Sequence, residues 1–164
     1  MEEFDIDISL GSFISFFTKN FDVYLKIQSS KSYQKEKYCL QKLENNYKCI
    51  CNKKRNHFPK IIDTNDKLNI IVMTHHGYDC KYLNRLIRIP DHKKQIECII
   101  SNLKNSNLSQ NDMLPKNICV NPEGVITLID YDLAKIDNIT NDEYQKIKFK
   151  LTKILKDNNY LLLK

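Results

Sequence analysis

Two short apolar runs, Ile118-Cys119-Val120 and residues 125–129, flank the tetrapeptide Asn121-Pro122-Glu123-Gly124. Asn, Pro and Gly in that order favour a type I turn, so the segment reads as a β-hairpin. A hairpin dictates which residues stand opposite each other. If Val120 pairs with Val125, Asn117 falls opposite Leu128 and close to Asp130, and two oxygen-bearing side chains meet at one end. Asp112 lies five residues before Asn117, in a polar loop over residues 105–117, and can converge on the same place. Hard divalent cations such as Mg2+ take oxygen ligands of this kind and complete their shell with water and substrate phosphates. Taken singly, each of these residues is also a common turn former or cap.

The rest of the chain reads as an α+β protein. Its 164 residues suit one domain, which can bury roughly 70% of its unfolded surface. Ile6, Ile8 and Leu10, then residues 13–17, form a hairpin or bulged strand pair around Gly11-Ser12, with Lys19-Asn20 as a second turn. Phe21, Val23, Leu25 and Ile27 alternate with Asp22, Tyr24 and Lys26, the period of a half-buried strand, which puts Lys26 on the polar side. Leu40, Leu43 and Tyr47, with Tyr33 and Glu36 upstream, have helical spacing over residues 33–47, so Glu36 is a carboxylate near an apolar stripe. Residues 58–62 and 68–74 read as strands around a turn at 63–66, and residues 81–88 as a short helical stretch. Asp91 is the expected N-cap of a helix over 91–103 that buries Ile96, Ile99, Ile100 and Leu103. Thr140-x-x-Glu143 is a capping box opening a last helix, with Ile147, Leu151, Ile154 and Leu155 inward and Lys146, Lys150, Lys153 and Lys156 outward. That helix is expected to pack against the one at 91–103.

Composition removes several classes. No apolar run approaches the roughly 20 residues that span a bilayer, and the acidic start Met1-Glu2-Glu3-Phe4-Asp5 is unlike a secretory signal, so a cytoplasmic protein is expected. Six cysteines without framework spacing read as free, mostly buried thiols. Cys39, Cys49, Cys51 and His57 could be zinc ligands, but the C-x-C spacing is unlike the two-residue gap usual in structural zinc sites. The net charge of +6 suits a phosphate-bearing ligand and equally serves solubility. The basic residues form no sustained block and no nucleic-acid reader motif is present, so nucleic acid is not an expected partner. Abundant Asn, Lys and Ile are the bias of an AT-rich coding genome, such as that of a virus or parasite.

The segment Asn111-Asp112-Met113-Leu114-Pro115-Lys116-Asn117, with Ile129-Asp130-Tyr131-Asp132 after the hairpin, resembles the catalytic loop and metal-binding motif of the protein-kinase superfamily. Tyr131 stands where the family usually has Phe. Asp132 stands where protein kinases have Gly, and an acidic residue there is more similar to the aminoglycoside and choline kinase branch. Val23-Tyr24-Leu25-Lys26 resembles the strand bearing the phosphate-contacting lysine, and Glu36-x-x-x-Leu40-x-x-Leu43 the helix whose glutamate pairs with it. An ammonium held by a carboxylate is a positioned point charge for phosphates. Residues 70–77 resemble the strand and hinge on which adenine docks, with Met73 and His75 beside the base. His75 and His76, adjacent on an extended segment, point to opposite sides and do not share a metal.

The resemblance implies a protein-kinase-like two-lobed fold, with a strand-rich N-lobe over residues 1–76 and a strongly truncated C-lobe over 77–164 in one domain. It implies ATP and Mg2+ as cofactors, Asp112 orienting or deprotonating the acceptor hydroxyl, Lys26 on the phosphates, and Asn117 and Asp130 as metal ligands. It covers about residues 8–136 and has four departures. Only Gly11 stands in the phosphate-covering loop, Gln110-Asn111 replaces His-Arg, and Leu114 replaces a phosphate-steadying lysine. After Asp132 only 164 − 132 = 32 residues follow, too few for a full activation segment and the later helices. The leading expectation is an atypical kinase acting on a protein or small-molecule hydroxyl. The alternative is a pseudokinase-like binding or regulatory module with a protein partner.

Overall fold

Short alternating runs of apolar and polar residues build, in the computed structural model, an antiparallel sheet of five strands. These are β1 (Asp5–Ser9), β2 (Phe13–Phe17), β3 (Val23–Ile27), β4 (Ile61–Asn65) and β5 (Ile70–Thr74), in the order β1-β2-β3-β5-β4. The structure describes residues 5–9, 13–17, 23–51, 55–74, 77–79, 87–158 and 161–162, those of 5–9, 13–17, 78–79 and 161–162 by backbone alone. The turns expected at 11–12 and 19–20, the histidines at 75–76 and residues 81–86 of the expected short helix lie outside the described residues. Helix α1 (Ser30–Asn46) begins earlier than its apolar spacing indicates because Ser29 caps it, accepting from the Ser32 N–H. One of its faces buries Tyr33, Glu36, Cys39, Leu40 and Leu43.

The strand expected at 58–62 runs instead over Ile61–Asn65, and its turn falls at 66–69. Asn65 Oδ1 accepts the N–H groups of Lys67 and Leu68, both at 3.1 Å, and Asn69 closes the turn at φ 53°. Phe58 turns into the core between Tyr47 and Tyr131.

Beyond residue 77 come β6 (Tyr78–Asp79), β7 (Arg88–Ile89), α2 (His92–Asn105), β8 (Leu108–Ser109), β9 (Ile118–Val120), β10 (Ile126–Leu128), β11 (Lys135–Ile136), α3 (Asn141–Asp157) and β12 (Leu161–Leu162). They pair as β10-β9-β6, β11-β8 and a parallel β12-β7. Arg88, expected at the end of a helical stretch, is therefore in a strand. Asp91 occupies the N-cap position of α2 without capping it: its backbone is left-handed at φ 50° and its carboxylate faces Arg55 at 3.7 Å. The stretch 105–117 is no continuous loop, since it contains β8 and a 3-10 turn over Pro115–Asn117.

The capping box of α3 forms as read. Glu143 N–H donates to Thr140 Oγ1, and Thr140 N–H to Glu143 Oε2 at 2.8 Å. Lys135, 2.7 Å away, and then the Thr140 N–H hold the Glu143 carboxyl down to about 2. Tyr144, Ile147, Leu151 and Leu155 are buried where α3 packs on α2, and Lys146, Lys150, Lys153 and Lys156 are exposed. One apolar core runs from Tyr33 on α1 through Ile71 and Met73 on β5, Ile99 and Leu103 on α2, and Ile118 and Leu128 on the hairpin strands, to Leu155 on α3. The class is mixed α+β. Among the described residues no helix is long and apolar enough to cross a membrane.

Candidate functional site

The hairpin forms, one residue out of the expected register. Val120 faces Ile126 and Ile118 faces Leu128, so Asn117 stands opposite Ile129, whose N–H donates to the Asn117 carbonyl at 3.0 Å. The cause is Gly124. Its N–H bonds the Asn121 carbonyl at 2.9 Å, Asn121 N–H bonds the Val125 carbonyl at 3.2 Å, and Gly124 adopts φ 74°. This is a type I turn followed by a left-handed bulge residue, which adds one residue to the loop. The shift carries Asn117 one step nearer to Asp130.

Two loops form the site, residues 110–117 and 129–134. Both run between the same pair of strand ladders, β8 with β11 at one end and β9 with β10 at the other. Gln110 ties them together, its buried Nε2 donating to the carbonyls of Ile129 at 3.0 Å and Asp130 at 3.3 Å. The Gln110-Asn111 replacement therefore does not leave the loop unsupported. Asn117 Nδ2 donates to both the carbonyl oxygen and Oδ2 of Asp112, at 2.8 and 3.0 Å. Lys116 Nζ stands 4.0 Å from the same carboxylate. Asp130 is held at φ 66°, a conformation that Asp tolerates better than most residues. Tyr131, directly after it, is fully buried.

Lys26, expected on the polar side of its strand and paired with Glu36, reaches this site from the sheet. The polar face of β3 is its inward face: Lys26 is only 7% exposed and Gln28, two residues on, is buried beside it. Lys26 Nζ lies 2.7 Å from Glu36 Oε2 on α1 and 2.7 Å from Asp130 Oδ1. Gln28 Nε2 donates to Glu36 Oε2 as well. Burial is the largest influence on Lys26 and pulls its pKa down. The carboxylates of Glu36 and Asp130 outweigh it and raise the pKa above the ordinary lysine value, so the ammonium is charged. Burial, and then the neighbouring Asp130, push the Asp132 carboxyl up. Lys26 faces Ile71 across the β3–β5 ladder and Tyr24 faces Met73, so Met73 shares the sheet face of Lys26 and is itself packed in the core.

The structure thus joins Lys26, Glu36 and Asp130 in one ionic chain and Asp112 with Asn117 in a second pair. The two are linked through the Ile129 backbone and Gln110. Met73 lies on the same sheet face, and His75 is outside the described residues. The sequence reading left out Gln28, gave Lys116 no role, and took Gln110 and Asp132 only as departures from the family pattern. The strand period marks Gln28, which is two residues from Lys26. For Gln110, a buried side chain bonding backbone across two loops, no local pattern exists. No protein-family model and no curated protein matches the chain.

Proposed function

We propose that the chain is a small atypical kinase of two-lobed, protein-kinase-like architecture, which binds ATP with Mg2+ and passes the terminal phosphate to a hydroxyl of a protein or small molecule. One observation carries the reading: a charged, nearly buried lysine is held by two carboxylates 10 and 104 residues away in the chain. A lone buried cation of this kind costs stability unless paired, and phosphate oxygens are its natural further partners. The oxygens of Asp130 and Asn117 are the hard donors that Mg2+ prefers, so the donor set fits. Asp130 is 26% exposed in its side chain and accessible to a ligand. With Asn117 Nδ2 spent on Asp112, its Oδ1 is the atom left for a cation.

Bound Mg2+ would neutralise charge on the transferring phosphate. The chain's own residues do the positioning. Glu36, itself held by Gln28, fixes the Lys26 ammonium, and Asn117 fixes the Asp112 carboxylate, which orients the acceptor hydroxyl as general base. Lys116 supplies the cation near Asp112 that Leu114, at its place in the motif, does not.

The test is a thermal-shift titration with ATP, with and without Mg2+, and label transfer to a broad acceptor panel. A ligand at 100 times its dissociation constant stabilises by about 2.7 kcal/mol, enough to read. The wild type should shift only with Mg2+ present and should transfer label, and Asp130→Asn should lose both. A binding module without phosphoryl transfer is the second reading, favoured by Leu114, apolar and 43% exposed beside Asp112. Nucleotide binding that ignores Mg2+ and Asp130→Asn, with no label transferred, supports that one instead.

A further inference from the structure

Cys49, Cys51 and Cys98 come together away from the oxygen-lined site. Their sulfurs all lie within 4.8 Å of one another, with Cys49 and Cys51 3.4 Å apart. A tetrahedron with zinc–sulfur bonds of about 2.3 Å has sulfur–sulfur edges of about 3.8 Å, inside that span. His57 adjoins the cluster on the Cys51 side, with Nε2 3.4 Å from Cys51 Sγ against about 3.6 Å for a sulfur–nitrogen edge of such a tetrahedron; it lies outside the group of three sulfurs and has to close in to complete the shell. The other ring nitrogen, Nδ1, is 2.6 Å from the carbonyl oxygen of Ile126. A carbonyl only accepts, so Nδ1 carries the proton and Nε2 turns its lone pair toward the sulfur. Metal-binding imidazoles are oriented in the same way.

The surroundings hold this arrangement in place. Asn102 on α2 clamps the backbone of Lys48, accepting its N–H at 2.7 Å and donating to its carbonyl at 3.0 Å. The segment 48–51 is thereby laid over α2 beside Cys98, one helical turn before Asn102. Ile50 N–H donates to Cys98 Sγ at 3.4 Å, and Asn102 Nδ2 approaches the same sulfur at 3.6 Å. Donors on sulfur favour a thiolate. Cys51, Cys98 and His57 are buried, and Cys49 is half-buried. Cys98 stands where Cys39 was expected, and Cys39 is not among the grouped sulfurs.

We infer that Cys49, Cys51 and Cys98 bind one Zn2+ ion, with His57 closing on it from the Cys51 side as fourth ligand, in a tetrahedral structural centre that ties the segment after α1 to α2. Sulfur donors select a soft or borderline ion over the Mg2+ of the oxygen-lined site. On binding, each thiol gives its proton to solvent and His57 binds through its free lone pair.

The experiment uses the full chain purified under reducing conditions without chelator. Metal content is measured, and Co2+ is then titrated into protein stripped of metal. About one zinc per chain is expected, together with the sulfur-to-cobalt charge-transfer band and strong visible absorption of tetrahedral Co2+, bleached when Zn2+ is added. Cys98→Ser should abolish both signals. Cys49→Ser, at the least buried of the three sulfurs, should do so with the circular dichroism of the fold retained. Cys39→Ser, a buried thiol outside the cluster, should keep them. No thiolate–cobalt band in the wild type, a band that survives both Cys98→Ser and Cys49→Ser, or a Cys49–Cys51 disulfide in freshly reduced protein would overturn the inference.

Discussion

Lys26 sits between Glu36, which is 1% exposed, and Asp130, and its charge is the reason that Glu36 can be buried at all. Lys26→Met would leave Glu36 with Gln28 as its remaining polar neighbour among the contacts described above. Breaking a buried pair in this way costs about 3–5 kcal/mol, whereas neutralising both members is far milder. Urea unfolding should therefore show a large loss for Lys26→Met and a partial recovery on adding Glu36→Gln. Equal midpoints for wild type and Lys26→Met would mean that the pair contributes no compensation. For the same reason Asp130→Asn, at a more exposed position, is the cleaner probe of ligand binding. The residue types of this site were readable in the sequence. The direction of Lys26 was legible only through the family resemblance that pairs it with Glu36; alternation alone puts polar side chains outward, whereas here two carboxylates hold the lysine inside.

Among the elements, the hairpin of β9 and β10 does most to place the site, and it turns on Gly124. A Cβ there would come within 2.1 Å of the Arg88 carbonyl oxygen and 2.7 Å of Pro90 Cδ, at a φ of 74° that L residues avoid. Gly124→Ala should cost about 2–4 kcal/mol from crowding and left-handed backbone together. It should also weaken any response to ATP, since the bulge sets Asn117 against Ile129. Thermal melts with and without ligand read both effects, and an unchanged melt would show that the turn re-forms without the bulge. The turn residues were legible, but the extra bulge residue was not, because Asn-Pro-Glu-Gly is compatible with either loop length. The shift of β4 has a different cause. It is an edge strand, where exposed Asp63 and half-buried Thr64 are tolerated, and in sequence those same residues look like a turn.

Across the whole molecule, the core passes without interruption from α1 and the sheet to α2, the hairpin and α3. Both halves should unfold together. The chain has nine tyrosines and no tryptophan, so tyrosine emission and far-ultraviolet circular dichroism should give coincident urea transitions. Two separated transitions would show that sheet and helices are uncoupled. At this scale the sequence was least informative. Cys98 lies 98 − 51 = 47 residues from Cys51, and nothing in the local spacing joins them, whereas the capping box of α3 is written within four residues. Tyr131 has a consequence of its own. To swing the backbone at Asp130 away from Lys26 would draw this ring out of the core, exposing about 150–250 Å² at a cost of about 4–6 kcal/mol. Fewer than about one molecule in a thousand would stand in that arrangement. The backbone therefore has no second resting position at Asp130, and any switching there is left to rotation of its half-buried side chain. A ligand that needs Asp130 meets a main chain already in place, so only a carboxylate has to turn toward it.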